Sequence, residues 1–316
     1  MVERLFTSVL VQRGEFINIF IKTATEALPI GARFMILSAL SFSVMSLFVK
    51  AVGHQQIPVL EIVAARSIVS LAISYFALRR QGIAILGERK VLLFARGLVG
   101  FLALNCVFYG ITHLPLAKAT ILQYLHPMFT AVLAVILLKE HPTRGTLVCI
   151  ALSFVGLLII VRPQALFSYT SGEGEMFAIL AAIAGAFGSG VAYILVRKLS
   201  SSEHPLVIVL YFPLVSLPVS IVLLWDDFVM PKGVTWFYLL AIGVTTQVGQ
   251  VALTKAMQTE TASRATSFAY LQVVFAIVLG LVFYQEIPSW STFWGAVLII
   301  AGAYLNVRWT LNTGSK

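Results

Sequence analysis

Polar and apolar positions along this chain alternate in long blocks rather than at the period of a surface helix or a half-buried strand. Runs of about 20 apolar residues cross the hydrocarbon core of a bilayer as helices. Ten occur here, at 33–52, 58–78, 91–112, 118–138, 144–161, 175–196, 205–225, 234–254, 265–284 and 291–308. The connections are short, and the longest, 163–174 (PQALFSYTSGEG), is only a loop, which leaves no room for a soluble domain. The pattern predicts an all-α integral membrane protein of ten transmembrane helices.

The blocks repeat. Residues 114–162 align without gaps on 260–308, pairing Ala119/Ala265, Thr120/Thr266, Tyr124/Tyr270, Phe129/Phe275, Glu140/Glu286, Pro142/Pro288, Thr146/Thr292, Gly156/Gly302 and Arg162/Arg308. Two greasy helices share letters by composition, but matched Thr, Tyr, Glu, Pro and Arg at one fixed offset are not explained that way. Weaker echoes run further back: Phe34-x-Ile-Leu with Phe177-x-Ile-Leu, Val69-Ser-Leu with Val215-Ser-Leu, and Gly97 with Gly243. A repeat of five spans is odd in number, so the second copy enters the membrane from the opposite side. The expected fold is two inverted five-helix repeats around a central cavity, an arrangement common among secondary transporters. The repeats are placed at 33–162 and 175–308, with a leader at 1–32, an external loop at 163–174 and a tail at 309–316. The leader has apolar clusters at Leu5–Phe6, Val9–Leu10 and Phe16–Phe20, and reads as an interfacial amphipathic helix, as a poorly ordered tail, or as the product of a start codon placed too early.

Composition agrees: 59% of residues are hydrophobic, 11% are charged, and mean hydropathy is +0.94. The net charge of +9 speaks to topology rather than to nucleic acid. With the N-terminus in the cytoplasm, sixteen Lys and Arg fall on the inner side and four (Lys50, Lys118, Arg162, Lys232) on the outer, with Arg66 and Arg96 inside spans. The positive-inside rule then puts both termini in the cytoplasm. Cys106 and Cys149 lie in apolar runs and support neither a disulfide framework nor a metal site. No phosphate-cradling G-x-x-x-x-G-K-[ST] is present, so transport would be gradient-driven or passive, with no cofactor.

LPLAKATILQYLHPMFTAVLAVILLKE around the fourth span, its copy in the ninth and the two inverted halves resemble the drug/metabolite transporter superfamily. More narrowly, the chain resembles the bacterial EamA-type exporters, over about residues 33–308. The resemblance implies a multi-pass protein of the bacterial cytoplasmic membrane, a monomer or weak dimer, that moves small metabolites such as amino acids and their derivatives. His126 and Gln272 are polar where many relatives are apolar.

Candidate chemistry follows from polar groups at membrane depth. Glu61 is the one carboxylate clearly inside a span, three residues past Pro58. It is either a proton carrier, since an intramembrane carboxylate by default suggests function, or a hydrated carboxylate near the interface. Arg66 lies eight residues past Pro58, about 12 Å at helical rise, and its five-residue spacing from Glu61 turns it about 140° away. Its partner is the substrate or a group elsewhere, or it caps backbone carbonyls. Arg96, six residues from Lys90, is expected to snorkel to the cytoplasmic surface. The fourth span sets Thr120, Gln123 and Tyr124 along one side with His126 beside them, and Pro127 is expected to kink it. From the ninth, Tyr270 and Gln272 are expected opposite, with Tyr124 and Tyr270 facing one space. Asn105 and Tyr109 on the third span, Tyr193 on the sixth, and Gln247 with Gln250 on the eighth complete the substrate-binding candidates, with helix–helix hydrogen bonding as the alternative. Glu140 and Glu286 are expected to satisfy amides at the start of the helix that follows each. AGAFGSG at 184–190 reads as a close-packing device.

Three functions compete. The first is an exporter of amino acids or related small molecules by alternating access, proton-coupled through Glu61. The second is an importer of a scavenged metabolite such as riboflavin or S-adenosylmethionine. The third, an intramembrane enzyme or a channel, is disfavoured: no two of the five histidines are spaced i, i+4, and a channel would more naturally be a symmetric oligomer than two fused halves.

Overall fold

The computed structural model describes residues 28–53, 55, 57–114, 116–161, 173–224, 228–285 and 287–313. The expected leader up to residue 27, most of the 163–174 loop, and Glu286 lie outside them. Among the described residues there are ten helical spans and no strand. They are α1 (Ile30–Gly53), α2 (Val59–Arg80), α3 (Lys90–His113), α4, α5 (Arg144–Val161), α6 (Glu173–Leu199), α7 (Pro205–Leu223), α8 (Thr235–Thr259), α9 and α10 (Trp290–Thr313). Spans α4 and α9 are each built in pieces. α4 runs Leu116–Gln123 and then His126–Leu133, closing with a π-turn at Ala134–Leu138. α9 runs Ala262–Ser267, a 3-10 turn at Phe268–Tyr270, and Leu271–Tyr284. Large apolar side chains point outward, among them Phe76, Ile136, Val222 and Phe283, as a lipid-facing surface requires.

The inversion is written into the packing. An offset of 146 residues converts Gly156 to Gly302 and Cys149 to Gly295. A methyl group on Gly156 would meet the Gly295 carbonyl oxygen at 2.5 Å, and one on Gly302 would meet the Cys149 carbonyl oxygen at 3.1 Å. These are one contact seen twice, along the α5–α10 seam. Gly97 abuts Val215, and its counterpart Gly243 abuts Val69. Ala103 meets Gly188 between α3 and α6, and Gly249, the counterpart of Ala103, meets Phe42 between α8 and α1. Even the backbone exceptions match. Lys139 (φ 56°) and Gln285 (φ 55°), the two non-glycine residues with positive φ among those described, sit at the ends of α4 and α9 at the same offset.

Small residues serve these seams because helix association in lipid depends on close packing rather than on expelling water. Gly156→Leu should therefore reduce folded protein sharply, since overpacking costs about 1–3 kcal/mol or more. Gly53→Ala, where nothing lies within 4 Å of the added carbon, should not. Melting of the purified proteins in detergent checks both.

The break in α4 falls where Pro127 demands it, and goes further than a kink: the helix stops at Gln123 and restarts at His126 with proline in its first turn. The break in α9 lies at the equivalent depth without a proline. There the Tyr270 hydroxyl donates to the Tyr124 carbonyl at 2.9 Å, and the two rings stack with centroids 5.8 Å apart. Residues that are equivalent and also touch must straddle the pseudo-two-fold axis. The interrupted helices meet there.

Candidate functional site

Between the halves lies a cavity of about 180 Å³, below the roughly 300–1,000 Å³ of drug-sized pockets and suited to a small metabolite. Its polar lining comes from Arg66 on α2, Arg96 on α3, Gln123, Tyr124 and His126 at the α4 break, Ser189 and Tyr193 on α6, Gln250 on α8 and Gln272 on α9. Phe212 on α7 forms an apolar wall. Thus Arg66, Gln123, Tyr124, His126, Tyr193, Gln250 and Gln272, named from the sequence, are brought together.

The others are not. Asn105 turns its amide back to the Phe101 carbonyl of its own helix, 2.8 Å away. Tyr109 stacks on His113 at 4.0 Å, and Thr120 lies outside the lining. Gln247 is 3% exposed and stitches α8 to α2: its Oε1 accepts from Ser70, and its Nε2 donates to Ser74 Oγ at 2.8 Å. Tyr270 has no exposed surface and packs behind Tyr124, so the two tyrosines stack rather than both facing the open space.

Arg96 corrects the expectation that it reaches the surface. It is 4% exposed and points inward, with Nη2 donating to Gln250 Oε1 at 3.0 Å. Its spacing from Lys90 made a surface position reachable, but spacing alone cannot fix which way the helix faces. Both guanidiniums lie over the Phe212 ring, at 4.8 Å for Arg66 and 5.6 Å for Arg96, a cation–π arrangement that offsets part of their desolvation. Arg66 Nε, Arg96 Nε and Nη1, and His126 Nδ1 are buried without a hydrogen-bond partner. Unpaired buried polar groups are costly, and these four belong to residues around one cavity.

Glu61 faces elsewhere, as its rotation from Arg66 required. It lines a separate, largely apolar recess of about 550 Å³ between α2, α7, α8 and the stretch around Phe228. Oε2 accepts from the Val229 N–H at 3.0 Å, and Oε1 is buried without a partner. Among the described residues no cluster of three or more metal-ligating side chains occurs.

On the side where α4 ends and α9 begins, Glu140 does not cap the helix that follows it. Its Oε2 accepts from the Ala262 N–H at 2.8 Å and its Oε1 from Arg197 Nε at 2.7 Å. Arg197 Nη1 and the Ser200 hydroxyl both donate to the Met257 carbonyl, at 2.6 and 3.1 Å. The α4–α5 turn of the first half is thereby tied to the ends of α6 and α8 and the start of α9. The tie gives a helix N-terminus the anion that it favours.

The chain is similar to known transporters over most of its length. It is 36% identical to the pseudopaline exporter CntI of Pseudomonas aeruginosa over 276 residues, covering 87% of this chain and 95% of that protein. It is 31% identical to solute carrier family 35 member G1 of Mus musculus, covering 91% and 80%. The S-adenosylmethionine uptake transporter of Rickettsia prowazekii is 27% identical over 205 residues, covering 65% and 67%. One solved crystal structure matches with a TM-score of 0.77 at 18% identity, covering 90% of this chain and 98% of that one, and that likeness speaks to the fold alone. The model of the EamA-like transporter family matches residues 29–162 and 176–308. The chain is thus a multi-pass membrane transporter and belongs to the EamA-like transporter family.

Proposed function

We propose that the chain is a secondary exporter of small metabolites, amino acids or related compounds, working by alternating access across a bacterial cytoplasmic membrane. The observation that carries this reading is the cavity on the pseudo-two-fold, lined from both halves and ringed by polar groups without partners. Rocking of one half against the other would expose that cavity to each side in turn. The bias of Lys and Arg supports cytoplasmic termini, and halves already fused in one chain support a monomer or weak dimer. The chain is read as a carrier rather than an enzyme, in line with the names of its relatives.

The second reading is import, as in the relative named for S-adenosylmethionine uptake. A sulfonium cation would meet two arginines and, among the described lining residues, no carboxylate. That charge pattern speaks against a sulfonium cation as the cargo. The test is an unbiased comparison of metabolites inside and outside cells with and without this protein. Release of specific small metabolites supports export, and their depletion from the medium supports import.

Energy coupling is assigned to Glu61. A buried carboxylate with one unpartnered oxygen is a group that can exchange a proton, and its tie to Val229 links its charge to the segment between α7 and α8. Glu61→Gln should abolish uphill transport in reconstituted vesicles under an imposed pH difference, while equilibration down a gradient persists. Undiminished proton-driven accumulation in that variant would leave Glu61 as a tether for Val229 only.

A further inference from the structure

We infer that the cavity takes a dianion, a small molecule with two carboxylates or one doubly charged phosphoryl group. The inference rests on the reading of the cavity as the substrate site and goes on to the charge of the substrate. Its basis is the pair of arginines. Arg66 and Arg96 are 9% and 4% exposed, both line the cavity, and both stand over one face-forming ring, Phe212. Each like charge worsens the burial of the other. Placing even one arginine at the centre of a bilayer is costly.

Buried charges are retained where they are paired, yet no described carboxylate lines the cavity, and four of them are bonded elsewhere. Glu61 lies in its own recess and holds Val229. Glu140 is bound to Arg197 and Ala262. Glu203 accepts from the N–H groups of Glu88 and Arg89 at 2.8 and 2.6 Å, and Glu260 accepts from Arg264 at 2.9 Å. The ion pairs among the described residues involve neither cavity arginine.

The remaining donors also count in favour of two anionic centres. Arg96 Nη2 donates to Gln250, while Arg96 Nε and Nη1 and Arg66 Nε have no hydrogen-bond partner. A guanidinium fork is matched by one bidentate carboxylate or two phosphoryl oxygens. A single carboxylate satisfies one fork and leaves the other charge buried and unpaired. A dianion satisfies both and cancels the local charge. The uncharged groups around them, Gln123, Gln272 and Tyr193, can take the rest of the molecule without adding charge.

The test uses the purified full chain in detergent, with thermal stabilisation read at constant ionic strength against millimolar probes. The probes are linear dicarboxylates from malonate to adipate, the monoamide of each, and inorganic phosphate. A ligand that binds the folded state raises the melting temperature in proportion to its affinity. At least one dicarboxylate should bind about tenfold or more tightly than its own monoamide, the effect of one charge-assisted interaction. Arg66→Gln and Arg96→Gln should each erase that preference. Neither variant adds a charge to the bundle, and size-exclusion profiles report whether each remains folded. Stabilisation by phosphate alone, lost in both variants, supports the dianion and assigns it to one phosphoryl group. Equal binding of acid and monoamide, a preference that survives both substitutions, or no response to any probe would overturn the inference. Failure of the export reading would appear separately, as the absence of any metabolite released by cells carrying the protein.

Discussion

Glu140→Gln should unlock one end of the bundle. In the wild type that carboxylate bridges Arg197 and the Ala262 amide, two groups anchored to different helices. The glutamine keeps the volume and loses the charge, so two charge-assisted hydrogen bonds weaken together. Each such bond contributes about 1.5–3 kcal/mol when buried. The side chains of Arg197 and Glu140 keep 26% and 14% of their exposure, so solvent screening reduces that figure to roughly 1–2 kcal/mol for the pair. A shift of about 1.4 kcal/mol changes the ratio of two conformations tenfold. A cysteine placed at Ser189, which lines the cavity, should then react about tenfold faster with a membrane-impermeant thiol reagent added from the Glu140 side. The background would carry Cys106→Ser, since Cys149 is buried. An unchanged labelling rate would make the bridge a structural tie rather than a gate.

Arg66→Ala and Arg96→Ala should each lower transport at least tenfold with the folded protein still in the membrane. Removing an unpaired buried charge relieves the empty protein, so the loss should fall on substrate affinity and turnover and not on stability. Gln247→Ala should show the reverse: transport by the surviving protein is kept, while melting falls by the loss of a buried tie to Ser70 and Ser74. Transport normalised to folded protein, measured beside melting curves, separates the two patterns. Equal transport defects from Gln247 and Arg96 would contradict the assignment of one to packing and the other to the cavity.

The contrast between these residues shows what the sequence could reveal. The spans, their number and the inverted repeat were legible, because hydropathy and a fixed 146-residue offset are one-dimensional properties. The α4 break was partly legible through Pro127. The α9 break was not, since no proline marks it and the interruption is shared across the symmetry axis by Tyr270 and Tyr124. Facing was the weakest point. Gln247 and Gln250 sit three residues apart on one helix, yet one is sealed against α2 and the other meets Arg96. Small differences in helix rotation decide such outcomes, and they are set by seams such as Gly243 against Val69 rather than by the polar residues themselves. Arg96 was missed for the same reason. One signal pointed to it: Gly97 and Gly100 lie beside it, and a methyl group on either would meet α7, at the Tyr211 carbonyl oxygen (2.5 Å) and the Phe212 ring (3.3 Å), so this side of α3 packs on protein.

The direct test of one cavity opened alternately is accessibility from both faces. Single cysteines at Gln123 on α4 and Gln272 on α9, one from each half, would be made in vesicles of known orientation. Both should react with an impermeant reagent applied from either face, and the compound that the metabolite comparison identifies should protect both. Labelling of both positions from one face only, or of either position only by lipid-soluble reagents, would contradict a shared, alternately exposed cavity.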